Sequence, residues 1–530
     1  MRRLIAIVVG LAPSAAWAVP GPDSVAVVAN VNDDASVRLA ERYRAARDIP
    51  REHVCLLDLP TQATIDVAVF RDALEAPLVA CLGEAWDRIE AVVLVRGVPQ
   101  RVNLQGGVAS LAAVLGVSGS RTSTGADFVG QPAGVRVMCG NTPCYSATWR
   151  NPYRDGPFEP GFVATGQNVE WSLRLVTALD ARTERDVERL IASATTAEAL
   201  GGADGTFMLM DGADNARGVL DREYDAVMAA LDARGFTDVS RPAFSRDETG
   251  HTLAAFFVGT ARLDTTIEGN TFRPGAIVDN LTSLGAVPAN FGAPEDEAQV
   301  SIARWVEQGV AGAHGAVAEP LNNCFPSRHL LVDYVDGYTL AEAYLKRMPF
   351  VYWRNLVLGD PMAAPYADRP TVELIGVADG DVIDGAVEIG VVGDAEGERF
   401  DLTLLVNGRV VEQSADGVIL RCHAWAADGE TQILAVAQRR EGARSKGWTA
   451  VTVDVTRGRE DCTMPAPDAG VVDAGTLDAG VVRDGGTVTA PDEVELDEGC
   501  ACATHGRRRS PGLVVGLVLC ALWCARRRRR

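Results

Sequence analysis

From residue 24 onward the chain alternates short runs of Val and Ala with stretches of helical period, and no other feature constrains its fold as tightly. Residues 24–31 (SVAVVANV), 54–59 and 91–95 (AVVLV) read as strands, and residues 36–47 and 70–89 between them carry the 3.6 period of amphipathic helices. A strand apolar on both faces must be covered on both, and a helix between two such strands supplies the crossover that parallel pairing requires. The expectation is an α/β domain over residues 22–366, built on a mainly parallel, doubly wound sheet of Rossmann-like type.

The pattern continues with strands expected at 205–210 (GTFMLM), 253–258 (LAAFFV), 276–278, 310–317 and 356–358. Helices are expected at 168–179, 184–194, 223–234 and 338–347. Residues 106–130 are rich in Gly, Ser and Thr without period, which suits a surface lid or a plain linker. Open α/β sheets place their sites beyond the carboxyl ends of strands. Polar residues in such places are therefore the candidate ligand contacts: Arg96 in Arg-Gly-Val-Pro, Asn280, Glu319 and Asp360 in Gly-Asp-Pro. Arg154 joins them from a segment of arginines and aromatics that could grip an anionic or planar ligand, or simply pack a loop onto the sheet. Asp211, Asp214 and Asn215 lack the spacing and closing glutamate of a calcium loop, so a hydrogen-bonded turn is expected there and no metal site. No cofactor is assigned.

Past residue 365 the period changes to two. Residues 369–457 alternate apolar and polar positions with turns between, and Asn407-Gly408 is the strongest hairpin signal in the chain. Such a stretch reads as a small all-β sandwich of immunoglobulin or cadherin type, a module that spaces or binds more often than it catalyses. Residues 463–499 repeat Asp-Ala-Gly and end acidic, a composition that builds no core and suits an extended stalk. The formal net charge of -21 argues against nucleic acid as a partner, because a polyanion is repelled by such a surface. At the start, two arginines, an apolar run and Ala16-Trp17-Ala18 make residues 1–18 a secretory signal peptide. Export permits disulfides among the 11 cysteines. Cys139 with Cys144, and Cys55 with Cys81, are candidate pairs.

The last residues, 500–530, carry Cys500 and Cys502, an apolar run at 511–525 and five terminal arginines. This tail resembles the MYXO-CTERM sorting signal. The resemblance implies recognition by a sorting machinery at the inner membrane, removal of the apolar segment, and display at the cell surface or outer membrane with cysteine as attachment point. A permanent single-pass anchor is the alternative, although the run is shorter than the ~20 residues that span comfortably.

The body resembles a family of secreted proteins found in bacteria that carry exosortase-type sorting systems. Residues 42–50, Arg96-Gly97-Val98-Pro99, residues 309–320 and Gly359-Asp360-Pro361 carry the likeness, and no activity follows from it. Residues 253–365 are also similar to the caspase-fold domain of gingipain-type cysteine peptidases, which place a histidine after one strand and a cysteine after the next. Here the first strand is followed by Gly259-Thr260 and the second by Asp279, Asn280 and Ser283, so the expected dyad is missing. A displaced pair is conceivable from Cys324 with His251, His314 or His329. Cys324 could instead be a packed thiol or a disulfide partner of Cys422 or Cys462. These readings converge on a surface-anchored, non-peptidase protein that binds an unknown ligand or envelope partner at its strand ends. The alternatives are a hydrolase, using Cys324 with a histidine or Glu319 with Asp360 as acid and base, and a purely structural spacer.

Overall fold

Ten strands make one mixed sheet in the computed structural model of the chain. The structure describes residues 20–458 and Cys462, apart from 105–106, 123, 130–134, 140–141, 147–149, 155–162, 167–168, 293–296, 395–399, 416–417, 426 and 441–444. For residues 135–139, 142–146, 163–166 and 169 it describes the backbone alone. The expected signal peptide, stalk and sorting tail, with Cys500 and Cys502, and the side chains of Cys139 and Cys144, lie outside the described residues. Among the described residues, no helix is long and apolar enough to cross a membrane. Those within Met1–Val137 and Tyr145–Asp478 form one compact unit; the few within Met138–Cys144 belong to another.

In chain order the sheet strands are β1 (Val25–Asn30), β2 (Val54–Leu57), β3 (Ala91–Val95), β4 (Leu175–Leu179), β5 (Thr206–Leu209), β6 (Val239–Ser240), β7 (Thr252–Val258), β8 (Thr271–Asn280), β9 (Gly312–Ala316) and β10 (Asn355–Gly359). Their spatial order is β6-β5-β7-β8-β9-β10-β4-β3-β1-β2. Every neighbouring pair is parallel except β9 and β10, where Gly312 faces Gly359 and Ala316 faces Asn355. The sheet is thus two parallel halves running in opposite directions. The carboxyl ends of β1, β3, β4 and β10 lie at one end of the molecule, and those of β5, β7, β8 and β9 at the other.

Helices cover both faces. Helix α1 (Asp34–Ala46) starts where the Asp33 carboxylate accepts from the Ala35 and Ser36 backbone N–H groups. Helix α2 (Ala76–Leu82) is held to β2 by the Cys55–Cys81 disulfide, with Cα atoms 6.0 Å apart. Next come α3 (Leu111–Gly116) and α4 (Glu184–Leu200), the latter capped by Thr183 and stopped by left-handed Gly201. Then follow α5 (Tyr224–Asp232), α6 (Ile302–Glu307), α7 (Leu330–Val335) and α8 (Leu340–Arg347), whose Thr339 and Glu342 form a reciprocal capping box.

Several expectations are corrected. Residues 168–179, expected to be helical, form strand Val169–Ser172 and then β4, which lies between β3 and β10 with all five residues buried. Central placement in a sheet outweighs a helical period there. The helix expected over 70–89 breaks into a π-turn stretch, α2 and a 3-10 stretch, Gly83 standing at φ 51°. The run expected to be lid or linker contains α3 and the strand Gly107–Ser110.

The β-rich segment forms two facing sheets. The strands are β11 (Thr371–Ile375), β12 (Val382–Ile383), β13 (Ala386–Asp394), β14 (Phe400–Val406), β15 (Arg409–Ser414), β16 (Val418–Ala424), β17 (Gly429–Arg439) and β18 (Lys446–Val455). Three strands pair as β11-β13-β16 and five as β12-β18-β17-β14-β15. Ile389, Val391, Leu404, Ile433 and Val453 from the two sheets share one core. Asn407 and Gly408 make the β14–β15 hairpin with φ of 47° and 70°, the pair of positive values that a type I′ turn needs.

Candidate functional site

At the end of the first half-sheet the chain reverses its strand order between β1 and β3, the place where α/β sheets leave a crevice. Asn30, the last residue of β1, donates its amide to the Gly97 carbonyl at 2.8 Å and accepts from the Leu59 backbone at 3.3 Å, so three strand ends are tied together. Gly97 has a φ of 90°, and a Cβ there would lie 2.6 Å from Asp33 Oδ2, so the Arg96-Gly97 turn passes hard against the Asp33 carboxylate. Only glycine serves both demands.

A cleft of about 280 Å³ opens at this point, with Asp33, Thr61, Gln62, Arg96, Asp180 and Phe291 in its walls. Arg96 donates through Nη1 to the Ala181 carbonyl, and the same nitrogen lies 3.7 Å from Asp180 Oδ1. Asp180 also accepts from the Ala181 backbone at 2.8 Å and from the Gln100 side chain at 2.6 Å. Burial pushes its carboxyl above the ordinary aspartate range, against the pull of Arg96 and Gln100. The described lining joins one cation, two carboxylates, two amides and a hydroxyl. Among the described residues that line it there is neither a cysteine nor a histidine.

The other predicted contacts are not brought together with Arg96. Asp360 is fully buried, accepting from Tyr43 Oη at 2.6 Å, from the Met362 backbone at 2.9 Å and from Arg47 Nε. Arg47 in turn pairs with Glu198, which takes the Ala364 backbone N–H at 3.0 Å. Asp360 therefore locks α1 to β10 and is corrected from ligand contact to core ion pair. Asn280 is also buried, its amide spent on both backbone groups of Thr260 at 2.9 and 3.0 Å. It too leaves the list of contacts. Glu319 is exposed and accepts from Ser283 Oγ at 2.7 Å. It follows β9 whereas Asp360 follows β10, so the two stand at opposite ends of an antiparallel pair, roughly 15 Å apart or more. Carboxylates that share one bond lie closer, about 5–9.5 Å apart, so the proposed Glu319/Asp360 acid–base pair is not formed. Arg154 is exposed on a turn tied by Asn151 to the Leu345 and Met348 carbonyls, and is not among the residues lining the cleft.

The crevice of the second half-sheet is filled. Ala213 donates to the Gly259 carbonyl at 2.8 Å, and a Cβ on Gly259 would overlap the Arg217 carbonyl. Asp211 pairs with Arg241 and Asp214 with Arg217, the side-chain partners of the expected turn. Behind it lies a buried network that sequence reasoning missed. Asp279 accepts from His314 Nδ1 at 2.7 Å and from Arg328; His314 Nε2 lies 3.1 Å from Asn355 Oδ1; and Asn355 donates to the Cys324 carbonyl at 3.2 Å. Burial opposes the Asp279 charge, and Arg328 and His314 outweigh it, keeping the carboxyl below its ordinary range. The signal available in the sequence was an Asp, a His and an Arg inside apolar runs, since such groups are buried only when paired.

Cys324 is a buried thiol whose Sγ sits 3.6 Å from Asn323 Oδ1. Both ring nitrogens of His314 are engaged by Asp279 and Asn355. His251 bonds Glu248 at 2.8 Å at the amino end of β7, about 20 Å of strand away from the carboxyl end. His329 turns its Nδ1 to Ser327 Oγ at 3.2 Å, with Glu223 at 3.8 Å. Each of the three histidines is thus engaged by a residue other than Cys324. Cys422 is bonded to Cys462, so neither is the partner of Cys324.

No family model matches the chain, and no curated protein does. Among solved structures, one described as a protease is similar at 13% identity over 82% of this chain and 97% of its own, with a TM-score of 0.41. Fibronectin(III)-like modules of Clostridium thermocellum CbhA are similar at 21% identity over 17% of this chain and 100% of theirs, with a TM-score of 0.14. The spore cortex lytic enzyme SleM of Clostridium perfringens follows at 11% identity, 53% and 78% coverage and a TM-score of 0.15. TM-scores this low establish no shared fold.

Proposed function

We propose that the chain is an exported, surface-displayed binding protein whose α/β body takes a small polar ligand in the cleft at Arg96. One observation carries the reading: polar side chains converge on an open cleft at a topological switch point, and among the described residues no nucleophile–base pair accompanies them. The strand order β6-β5-β7-β8-β9-β10 has the second strand outside the first and an antiparallel sixth, which supports a caspase-like second half-sheet. Where that likeness asks for histidine and cysteine the chain has Gly259-Thr260 after one strand and Asp279, Asn280 and Ser283 at the end of the next. Export by residues 1–18 and sorting by residues 500–530 belong to the same proposal, resting on their sequence alone.

The test is a thermal-shift screen of the full-length protein against metabolites, peptides and glycans, repeated with Arg96→Gln. A ligand that raises the midpoint of the wild type but not of Arg96→Gln supports the reading. Hydrolysis of a peptide or glycan that disappears in Cys324→Ala or Glu319→Gln would overturn it.

A further inference from the structure

We propose that the cleft takes a small zwitterion of the amino-acid class, with its carboxylate on Arg96 and its ammonium on Asp33. The inference rests on the binding-protein reading and names the ligand chemistry of the same site. Arg96 is pinned through one nitrogen, Nη1, to the Ala181 carbonyl, and its backbone N–H is held by Leu179 at 2.9 Å. Its Nε and Nη2 have no hydrogen-bond partner among the described residues, and about a third of the side chain (32%) is exposed. An Nε/Nη2 edge held in place is a bidentate donor fork matched to a planar carboxylate.

Asp33 is oriented in the same way. Its Oδ1 accepts from the Ala35 and Ser36 backbone at 2.9 and 3.4 Å, capping α1, and its Oδ2 accepts no hydrogen bond among the described residues. That second oxygen faces the Arg96-Gly97 turn, on the wall it shares with the guanidinium. Asp180 does not compete for a cation, because both its oxygens are bonded to Ala181 and Gln100. Glu184, also close to Arg96, is occupied by Arg38 at 2.8 Å. The cleft therefore offers one unspent donor fork and one unspent carboxylate oxygen. A dianion such as phosphate would gain Arg96 and meet Asp33 and Asp180 as like charges, whereas a zwitterion satisfies both unspent charged groups. Pro99, Pro288 and Phe291 line the cleft beside them and suit an apolar side chain.

The experiment is isothermal titration of the full-length protein with glycine, leucine and phenylalanine, each as the free amino acid, the N-acetyl derivative and the methyl ester. Glucose and inorganic phosphate are the further probes. Free amino acids are expected to bind, and blocking either end should weaken binding about tenfold or more, the loss of one charge-assisted contact. Arg96→Lys keeps the charge and loses the fork, so every carboxylate-bearing form should weaken. Asp33→Asn keeps a good helix cap, so free amino acids should weaken about tenfold while N-acetyl forms are unchanged. Equal binding of free and N-acetyl forms would overturn the inference, and this comparison needs no variant. Arg96-dependent binding of glucose or phosphate without amino acids would overturn it too, while leaving the binding-protein reading in place. Absence of Arg96-dependent binding by every probe would overturn the inference, and the same absence across the metabolite, peptide and glycan screen would overturn the binding-protein reading as well.

Discussion

His53 and Glu342 pull the stability of the protein in opposite directions with pH. His53 is 1% exposed, and burial pushes its imidazole from 6.5 down to about 4. The folded state thus holds a neutral ring that the unfolded chain protonates. Stability from this site is complete above about pH 6.5 and is lost as the pH falls toward 4, by about 3 kcal/mol at the bottom of that window. His53→Leu should flatten the dependence, seen as urea midpoints at pH 7 and 4.5 that lie closer together than in the wild type. Glu342 is the reverse: burial raises its carboxyl from 4.5 to about 7, against the Thr339 hydrogen bonds of the capping box. The folded state binds that proton more tightly, so its contribution is complete below about pH 4.5 and is lost as the pH rises to 7. Glu342→Gln keeps the cap and removes the charge, and should raise the melting temperature at pH 8 while changing little at pH 4.5. The spacing Thr339-x-x-Glu342 is that of a capping box, a signal that sequence reasoning missed, and burial of its carboxylate is a tertiary effect.

At the scale of elements, two of the four stretches that carry the family likeness prove to be one lock. Residues 42–50 end α1 with Tyr43 and Arg47, and Gly359-Asp360-Pro361 ends β10; the four groups Tyr43, Arg47, Asp360 and Glu198 join them inside the core. Arg47→Met leaves Asp360 charged and buried with only neutral donors, a loss of about 3–5 kcal/mol. Denaturant titration should show that loss as a lower midpoint with an unchanged slope. The sequence placed a polar residue after each strand correctly, yet could not say which faced solvent. Arg96 does, because Gly97 turns the chain outward past Asp33; Asp360 does not, because α1 lies across it. The misread stretch at 168–179 has a similar cause, since its apolar residues fit either period and the sheet position between β3 and β10 decided.

At the scale of the molecule, the sandwich is docked on the α/β body through buried polar contacts. Lys446 at the start of β18 reaches Asp23 at 3.4 Å and Glu90 at 3.6 Å, and Arg369 donates to the Lys446 carbonyl at 2.7 Å. Gly447 packs so closely on the Pro370 carbonyl that a Cβ would overlap it. The strand-and-spacer expectation for residues 369–457 did not foresee a fixed wing. Lys446→Met would strand Asp23 and Glu90 without their cation. Calorimetry should show one unfolding peak for the wild type and a broadened or split one for the variant, as sandwich and body uncouple; one unchanged peak would mean that the apolar part of the junction suffices.

What the sequence determined by itself is the inventory of elements: Val and Ala runs that must be covered on both faces, period-two strands with an Asn407-Gly408 turn, capped helices, and a polar residue after each strand. These follow from local chemistry, because periodicity, caps and turn residues act within a few positions. Tertiary structure alone decided that β9 and β10 run antiparallel. That single pairing turns one half of the sheet end for end, sending Arg96 and Asp360 to one end and Asn280 and Glu319 to the other. It also decided which polar groups were spent, since burying Asp360, Asn280, Asp279 and His314 obliges each to take a partner. Arg96 and Asp33 are left at the cleft because strand order there reverses, and among the described residues none fills the gap that reversal makes.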